Sequence, residues 1–188
     1  MQLDNALTFS HTIIEQVVLP GDLVVDATVG QGNDTRFLAA LVGKTGRVLG
    51  FDIQQTALDE TRTMLTLTGL RQQVELIHAG HETLAQKLTA TDQLSAVMFN
   101  LGYLPGGDHS VVTKAASTIA ALQTACDNLR RSGVITLMVY TGHPGGEKEA
   151  AAVEQFVTGL PQKTFQVLRY QYINQQHQPP YLLIIQKR

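Results

Sequence analysis

The sequence has 188 residues, a length that suits one domain. With 44% hydrophobic and 16% charged residues, it can bury a sizeable core, which excludes an intrinsically disordered chain. A net charge of −2 excludes a generally basic surface, so any patch that neutralises nucleic-acid phosphate must be local.

The first ten residues carry Asp4 and neither Lys nor Arg, so no secretory signal is expected. No apolar run approaches the roughly 18–20 residues that span a bilayer. An opening helix is predicted from Leu7 to Val18, stopped by Pro20-Gly21. Leu23 to Ala27 reads as a first strand, apolar enough to be buried on both faces. A helix from Asp34 to Val42 follows, then a second strand from Arg47 to Phe51 that ends at Asp52. Thr56 to Leu67 reads as a helix closed by Gly69, Val74 to His78 as a third strand, and His81 to Leu88 as a further helix. Ala96 to Phe99 is the fourth predicted strand, running into the Gly- and Pro-rich loop Asn100 to Asp108.

Helical periodicity is clearest from about Val111 to Arg131, where Val112, Ala115, Ile119, Leu122, Cys126 and Leu129 recur at spacings of three and four. Gly133 is expected to end this helix, with Arg130 and Arg131 at the negative end of its dipole. Cys126, on the apolar face, reads as a small core residue. As the single cysteine it cannot close an intramolecular disulfide, and a reducing, cytoplasmic setting is the expectation.

Val134 to Tyr140 is the fifth strand. A helix over Glu147 to Val157 is expected to turn Glu149 and Glu154 to solvent. Phe165 to Tyr172 and Tyr181 to Gln186 then form two strands joined only by Asn174 to Pro180, a link too short for a parallel return, so the pair must be antiparallel. Strand–helix alternation predicts an α/β fold with a mostly parallel sheet. The antiparallel C-terminal hairpin makes seven strands in a Rossmann-like arrangement similar to class I methyltransferases. No linker or repeat interrupts residues 1–188, which are expected to form a single domain.

Where the first strand meets its helix stands Asp26-Ala27-Thr28-Val29-Gly30-Gln31-Gly32-Asn33-Asp34-Thr35. Gly30 and Gly32 allow a tight turn and close approach to a ligand. A dinucleotide fingerprint would want a third small residue at position 35, where Thr35 stands. Asp52, twenty residues beyond Gly32 at the end of the second strand, can accept both hydroxyls of a ribose. Gln31, Asn33 and Asp34 suit an ammonium and a carboxylate, whereas an acid beside a pyrophosphate would be repelled. The plainer alternative makes Asp26 a strand-end acid and Asp34 a helix cap. Gln54 is placed near the ribose or the adenine edge. His81 stands either against the adenine amino group or simply at the start of the next helix.

The loops after the fourth and fifth strands share the edge at which open α/β sheets bind ligands. Asn100 and Tyr103 partly match the Asn/Asp-Pro-Pro-aromatic motif of amino-group methyltransferases, with Leu101-Gly102 replacing the prolines. In that part Asn100 orients the target nitrogen and Tyr103 packs on the substrate. His143 reads either as a proton acceptor or as a cap on the following helix. His11 and His177 suggest surface or packing roles, and no His/Cys cluster has the spacing of a metal site.

Taken together, Asp26 to Thr35, Gly50-Phe51-Asp52-Ile53-Gln54, Asn100 to Asp108 and Tyr140 to Gly146 carry a resemblance that runs essentially end to end. The chain resembles the small class I methyltransferases once labelled "putative rRNA methylase", whose characterised members methylate the aminomethyl group of 5-aminomethyl-2-thiouridine at the tRNA wobble position. Asn33 stands where that family is expected to carry His. The resemblance implies S-adenosyl-L-methionine as cofactor, the tRNA anticodon region as substrate and a homodimer. Residues alone reach a methyltransferase for an amine or base nitrogen. Rival readings are a methyltransferase for a small-molecule amine and a non-catalytic nucleotide- or RNA-binding module.

Overall fold

The computed structural model describes residues 3–102, 112–142, 144–176 and 179–188. Helix α1 (Ala6–Val17) starts where the Asn5 side chain accepts the Thr8 amide at 2.8 Å, satisfying one of the free N–H groups of its first turn. Strand β1 (Leu23–Asp26) leads into helix α2 (Asn33–Val42), strand β2 (Arg47–Asp52) into helix α3 (Gln55–Leu67), and strand β3 (Val74–His78) into a 3-10 helix at His81–Lys87. Strand β4 (Leu94–Asn100), helix α4 (Ala115–Asn128), strand β5 (Leu129–Val139) and helix α5 (Gly146–Thr158) follow. Strands β6 (Phe165–Tyr170) and β7 (Tyr181–Lys187) end the chain.

The strands form one sheet in the order β3-β2-β1-β4-β5-β7-β6. β1 to β5 are parallel, and β7 runs antiparallel to both β5 and β6, the predicted hairpin. Strand side chains alternate between faces, and the core divides accordingly. Val25, Leu49, Val97 and Ile135 face α4 and α5, meeting Leu122, Cys126 and Val153. Val24, Val48 and Ala96 face the other helices, meeting Ile14, Leu38 and Leu65. Burial pushes the Cys126 thiol up to about 12, which suits an inert packing residue. Among the described residues no helix is long and apolar enough to cross a membrane.

Three expectations are corrected. α4 is shorter than its periodicity suggests. The Thr113 amide donates to the Gly102 carbonyl at 2.9 Å, which draws the start of the predicted helix into an extended path. At its other end, the chain passes straight into β5, where Leu129 pairs with Leu94 and the register then jumps to Ala96 opposite Val134. The left-handed residue is Ser132 (φ 62°), not Gly133. Arg130 therefore serves a different helix. Its guanidinium donates to the Val17 carbonyl at the end of α1 and to Ser95 Oγ, both at 2.8 Å. Finally, Glu149 is buried rather than solvated, at 3% exposure.

Candidate active site

Between β1 and β4 the strand order reverses, so the loops at their carboxyl ends part and leave a crevice. A cavity of about 920 Å³ occupies it. One wall is the loop from Ala27 to Asp34 with Asp52 and Gln54. Facing it are Asn100 to Gly102, Thr113, Ser117 and Tyr140.

The glycine loop is held by carboxylates. Asp52 accepts the Gly30 amide on one oxygen (2.8 Å) and the Gln54 amide on the other (2.9 Å), so the acid at the end of β2 is tied to the bend. Asp26 is wholly buried behind the loop, where it accepts the Thr28 amide at 3.1 Å and the Thr35 hydroxyl at 2.6 Å. It does not line the cavity, so its part is to shape the loop. Burial first, and then the charge of Asp34, push the Asp26 carboxyl up to about 7. Gly32 (φ 76°) also turns away from the cavity. A side chain there would collide with Thr61 and Met64 on α3. Gly30, Gln31, Asn33 and Asp34 do line it.

Asn100 ends β4 inside the cavity. Its backbone amide donates to Thr28 Oγ1 at 2.8 Å, and its side-chain amide donates to Asp34 at 2.6 Å. His81 lines the cavity but is 7% exposed, and its Nδ1–H donates to the Ala27 carbonyl at 3.0 Å. Burial pushes the imidazole pKa down, against the charged form of the ring. It heads the 3-10 helix and packs edge-on against Phe99, a role in the fold. Tyr103, His143 and His177 lie outside the described residues.

Three groups in or behind these walls were not anticipated as site residues. His11 has the packing role, stacked on Phe37, and also lies 2.7 Å from Asp34, a partner the sequence does not name. Tyr140 lines the cavity from the end of β5, its phenol pKa raised by burial and by the nearby Asp34 charge. Glu149 accepts the hydroxyls of Thr113 (2.6 Å) and Thr118 (2.7 Å) behind the far wall. A signal for Glu149 was present: it lies four and eight residues before Val153 and Val157, both core, so the apolar stripe of α5 passes through it. Nothing in the sequence marks His11.

A switch-point crevice, a glycine loop tied to a strand-end carboxylate and a sheet finished by an antiparallel hairpin define the class I methyltransferase architecture. The family model described as "Putative rRNA methylase" matches residues 48–186, and the chain belongs to that family. It is 37% identical over 178 residues to the Arabidopsis thaliana protein named tRNA (mnm(5)s(2)U34)-methyltransferase, chloroplastic. That match covers 90% of this chain and 65% of the plant protein, so the chain spans less than two thirds of that relative's length. A Clostridium thermocellum structure described as a "putative rRNA-methylase" superposes with a TM-score of 0.97 at 46% identity, with 100% of both chains covered. A Streptococcus mutans structure, a "putative methyltransferase" in complex with SAH, gives 0.91 at 38% identity over 100% of both chains.

Proposed function

We propose that this chain is an S-adenosylmethionine-dependent methyltransferase whose acceptor is the aminomethyl group of 5-aminomethyl-2-thiouridine at the tRNA wobble position. The observation that carries the reading is the Asp52 carboxylate, which lines the cavity while tied to the Gly30 and Gln54 amides. A carboxylate fixed in this way at the end of β2 suits the two hydroxyls of a ribose. Asp34 and Asp52 place negative charge in the cavity wall, which favours a ligand carrying a sulfonium and an ammonium and disfavours a pyrophosphate. The first turn of α2, with its free N–H groups, suits the ligand's carboxylate. The complex of the Streptococcus mutans relative with SAH supports the same ligand class.

Adenosylmethionine supplies an electrophilic methyl group on a positively charged sulfur. What the chain contributes is position and protonation. Gly30, Gln31, Asn33 and Asp34 would hold the amino-acid end, with Asp52 and Gln54 at the nucleoside end. Asn100 would orient the amine, and Tyr103 would pack on the base. Placing the reacting atoms about 3–3.5 Å apart is worth roughly 7–11 kcal/mol in such reactions. No covalent enzyme intermediate is required.

The wobble-uridine acceptor is supported by the name of the Arabidopsis relative. Its test is mass spectrometry of tRNA nucleosides from cells with and without the protein. Loss of the methylaminomethyl nucleoside with accumulation of its aminomethyl precursor is expected, and an unchanged profile sinks the assignment. The net charge of −2 favours a second reading, a small-molecule amine as acceptor. Labelled cofactor incubated with bulk tRNA or with a metabolite extract separates the two.

A further inference from the structure

One carboxylate in the cavity wall is gripped from both sides. Asp34, in the first turn of α2, places Oδ1 2.7 Å from His11 Nε2 and Oδ2 2.6 Å from Asn100 Nδ2. The Asp34 side chain is 9% exposed and that of His11 is 30% exposed, so the pair leads from the cavity to the surface. The His11 ring stacks on Phe37 with centroids 4.1 Å apart and planes 10° apart, which holds its edge against the carboxylate. We propose that Asp34 and His11 form a proton relay, with His11 the outer member, that carries the acceptor's proton from the cavity to solvent.

This rests on reading the site as that of an amine methyltransferase. An alkylamine arrives as an ammonium, which has no lone pair for attack and must lose one proton first. Because the Asn100 side chain donates its NH2 to Asp34, its carbonyl oxygen is left to accept an N–H of the amine. That oxygen orients the nitrogen but is too weak a base to take the proton. The carboxylate beside it can take the proton and, with His11 in the tautomer that carries its hydrogen on Nδ1, hand it to the Nε2 lone pair; an imidazole changes charge in the physiological range. The nitrogen lone pair then forms the N–C bond while the C–S bond of the sulfonium breaks, its electron pair remaining on sulfur. His11 releases the proton to water. Among the described residues, the ionisable groups facing the pair are Asp26 from the end of β1 and Tyr140 from the end of β5. Both are acids, so neither opposes a proton on the imidazole.

The test uses His11→Gln, which can still hydrogen-bond Asp34 but cannot carry a proton, and His11→Phe, which keeps a ring on Phe37. Both should bind adenosylmethionine with calorimetric affinity within about twofold of the unaltered chain. Their kcat at pH 7 should fall about 100-fold, the lower end of general acid–base contributions, with KM for tRNA little changed. The deficit should shrink as pH rises, because solvent then deprotonates the amine. An unaltered kcat and pH profile in His11→Gln overturns the relay. So does a defect confined to cofactor affinity. If the unaltered chain transfers no methyl group to tRNA or any amine, the functional reading itself falls and the relay with it.

Discussion

The two walls of the cavity are built on different plans. On the side of β1 and β2, three of the four bonds that the Asp26 and Asp52 carboxylates accept come from backbone amides, those of Thr28, Gly30 and Gln54; the fourth is the Thr35 hydroxyl. Their partners lie 2 to 22 residues apart in sequence. On the side of α4 and α5, Glu149 draws in hydroxyls from residues 36 and 31 positions away. Thr113 in turn receives the Gly102 amide on its hydroxyl (2.8 Å) and donates its own amide to the Gly102 carbonyl. The first wall is therefore set by local backbone geometry. The second hangs from one buried carboxylate. Damage to the first should show as lost ligand, and damage to the second as lost stability.

Asp52→Ala is the severest test of the first half of that contrast. It removes the proposed ribose acceptor and frees the Gly30 amide. Hydrogen bonds to a charged group are worth about 1.5–3 kcal/mol each, so adenosylmethionine affinity should fall about 100-fold or more by calorimetry. Thermal stability should change little by comparison. Unchanged affinity would remove Asp52 from the site. Glu149→Ala tests the other half: it leaves the buried Thr118 hydroxyl and the half-buried Thr113 hydroxyl without their acceptor and should cost about 3 kcal/mol in denaturant unfolding. Glu149→Gln, which keeps one acceptor oxygen, should recover about half of the loss. If Glu149→Ala unfolds at the same denaturant concentration as the unaltered chain, the second wall is held by something else.

The same contrast explains what could be read in the sequence. The alternation of elements, the closing hairpin, the loop from Gly30 to Asp34 and the carboxylate at 52 are local patterns with short spacings, and the structure brings them together. Leu129 shows where local pattern fails. It continues the apolar spacing of α4 yet belongs to β5, because helix and strand both bury it and periodicity cannot separate them. Arg130 serves α1 rather than α4 for a related reason: its partner Val17 is 113 residues away. His11 and Glu149 are meaningful only through Asp34 and through Thr113 and Thr118, contacts made after α1 and α5 have packed. Tertiary partners of this kind leave no periodic trace.

A subtler probe of the first wall is pH. Asp26 in the unfolded chain ionises near an ordinary carboxylate value of about 4, whereas in the folded protein burial and Asp34 hold it at about 7. Between those values the folded state binds the extra proton, so this group's contribution to stability is complete below pH 4 and is lost as pH rises to 7. Asp26→Asn mimics the protonated acid and cannot ionise. The melting temperature of the variant minus that of the unaltered chain should therefore climb from pH 4 to 7 and then level off. A flat difference would show that Asp26 titrates normally and that the loop is not built over a reluctant acid.

The smallest expected effect lies beneath the same loop. Thr61 is fully buried on α3 where Gly32 approaches, and among the described residues its hydroxyl has no hydrogen-bond partner. A buried polar group without a partner costs about 1–3 kcal/mol, and its removal by an isosteric side chain recovers part of that. Val has the shape of Thr without the hydroxyl, so Thr61→Val should raise stability by up to about 1 kcal/mol in denaturant unfolding. Adenosylmethionine affinity should be unchanged, because Gly32 and Thr61 both stand behind the cavity-lining face. A loss of stability would mean that the hydroxyl does find an acceptor. A loss of affinity alone would mean that the underside of the glycine loop is coupled to the ligand, and the wall set by backbone geometry would then extend one layer deeper than the carboxylates that hold it.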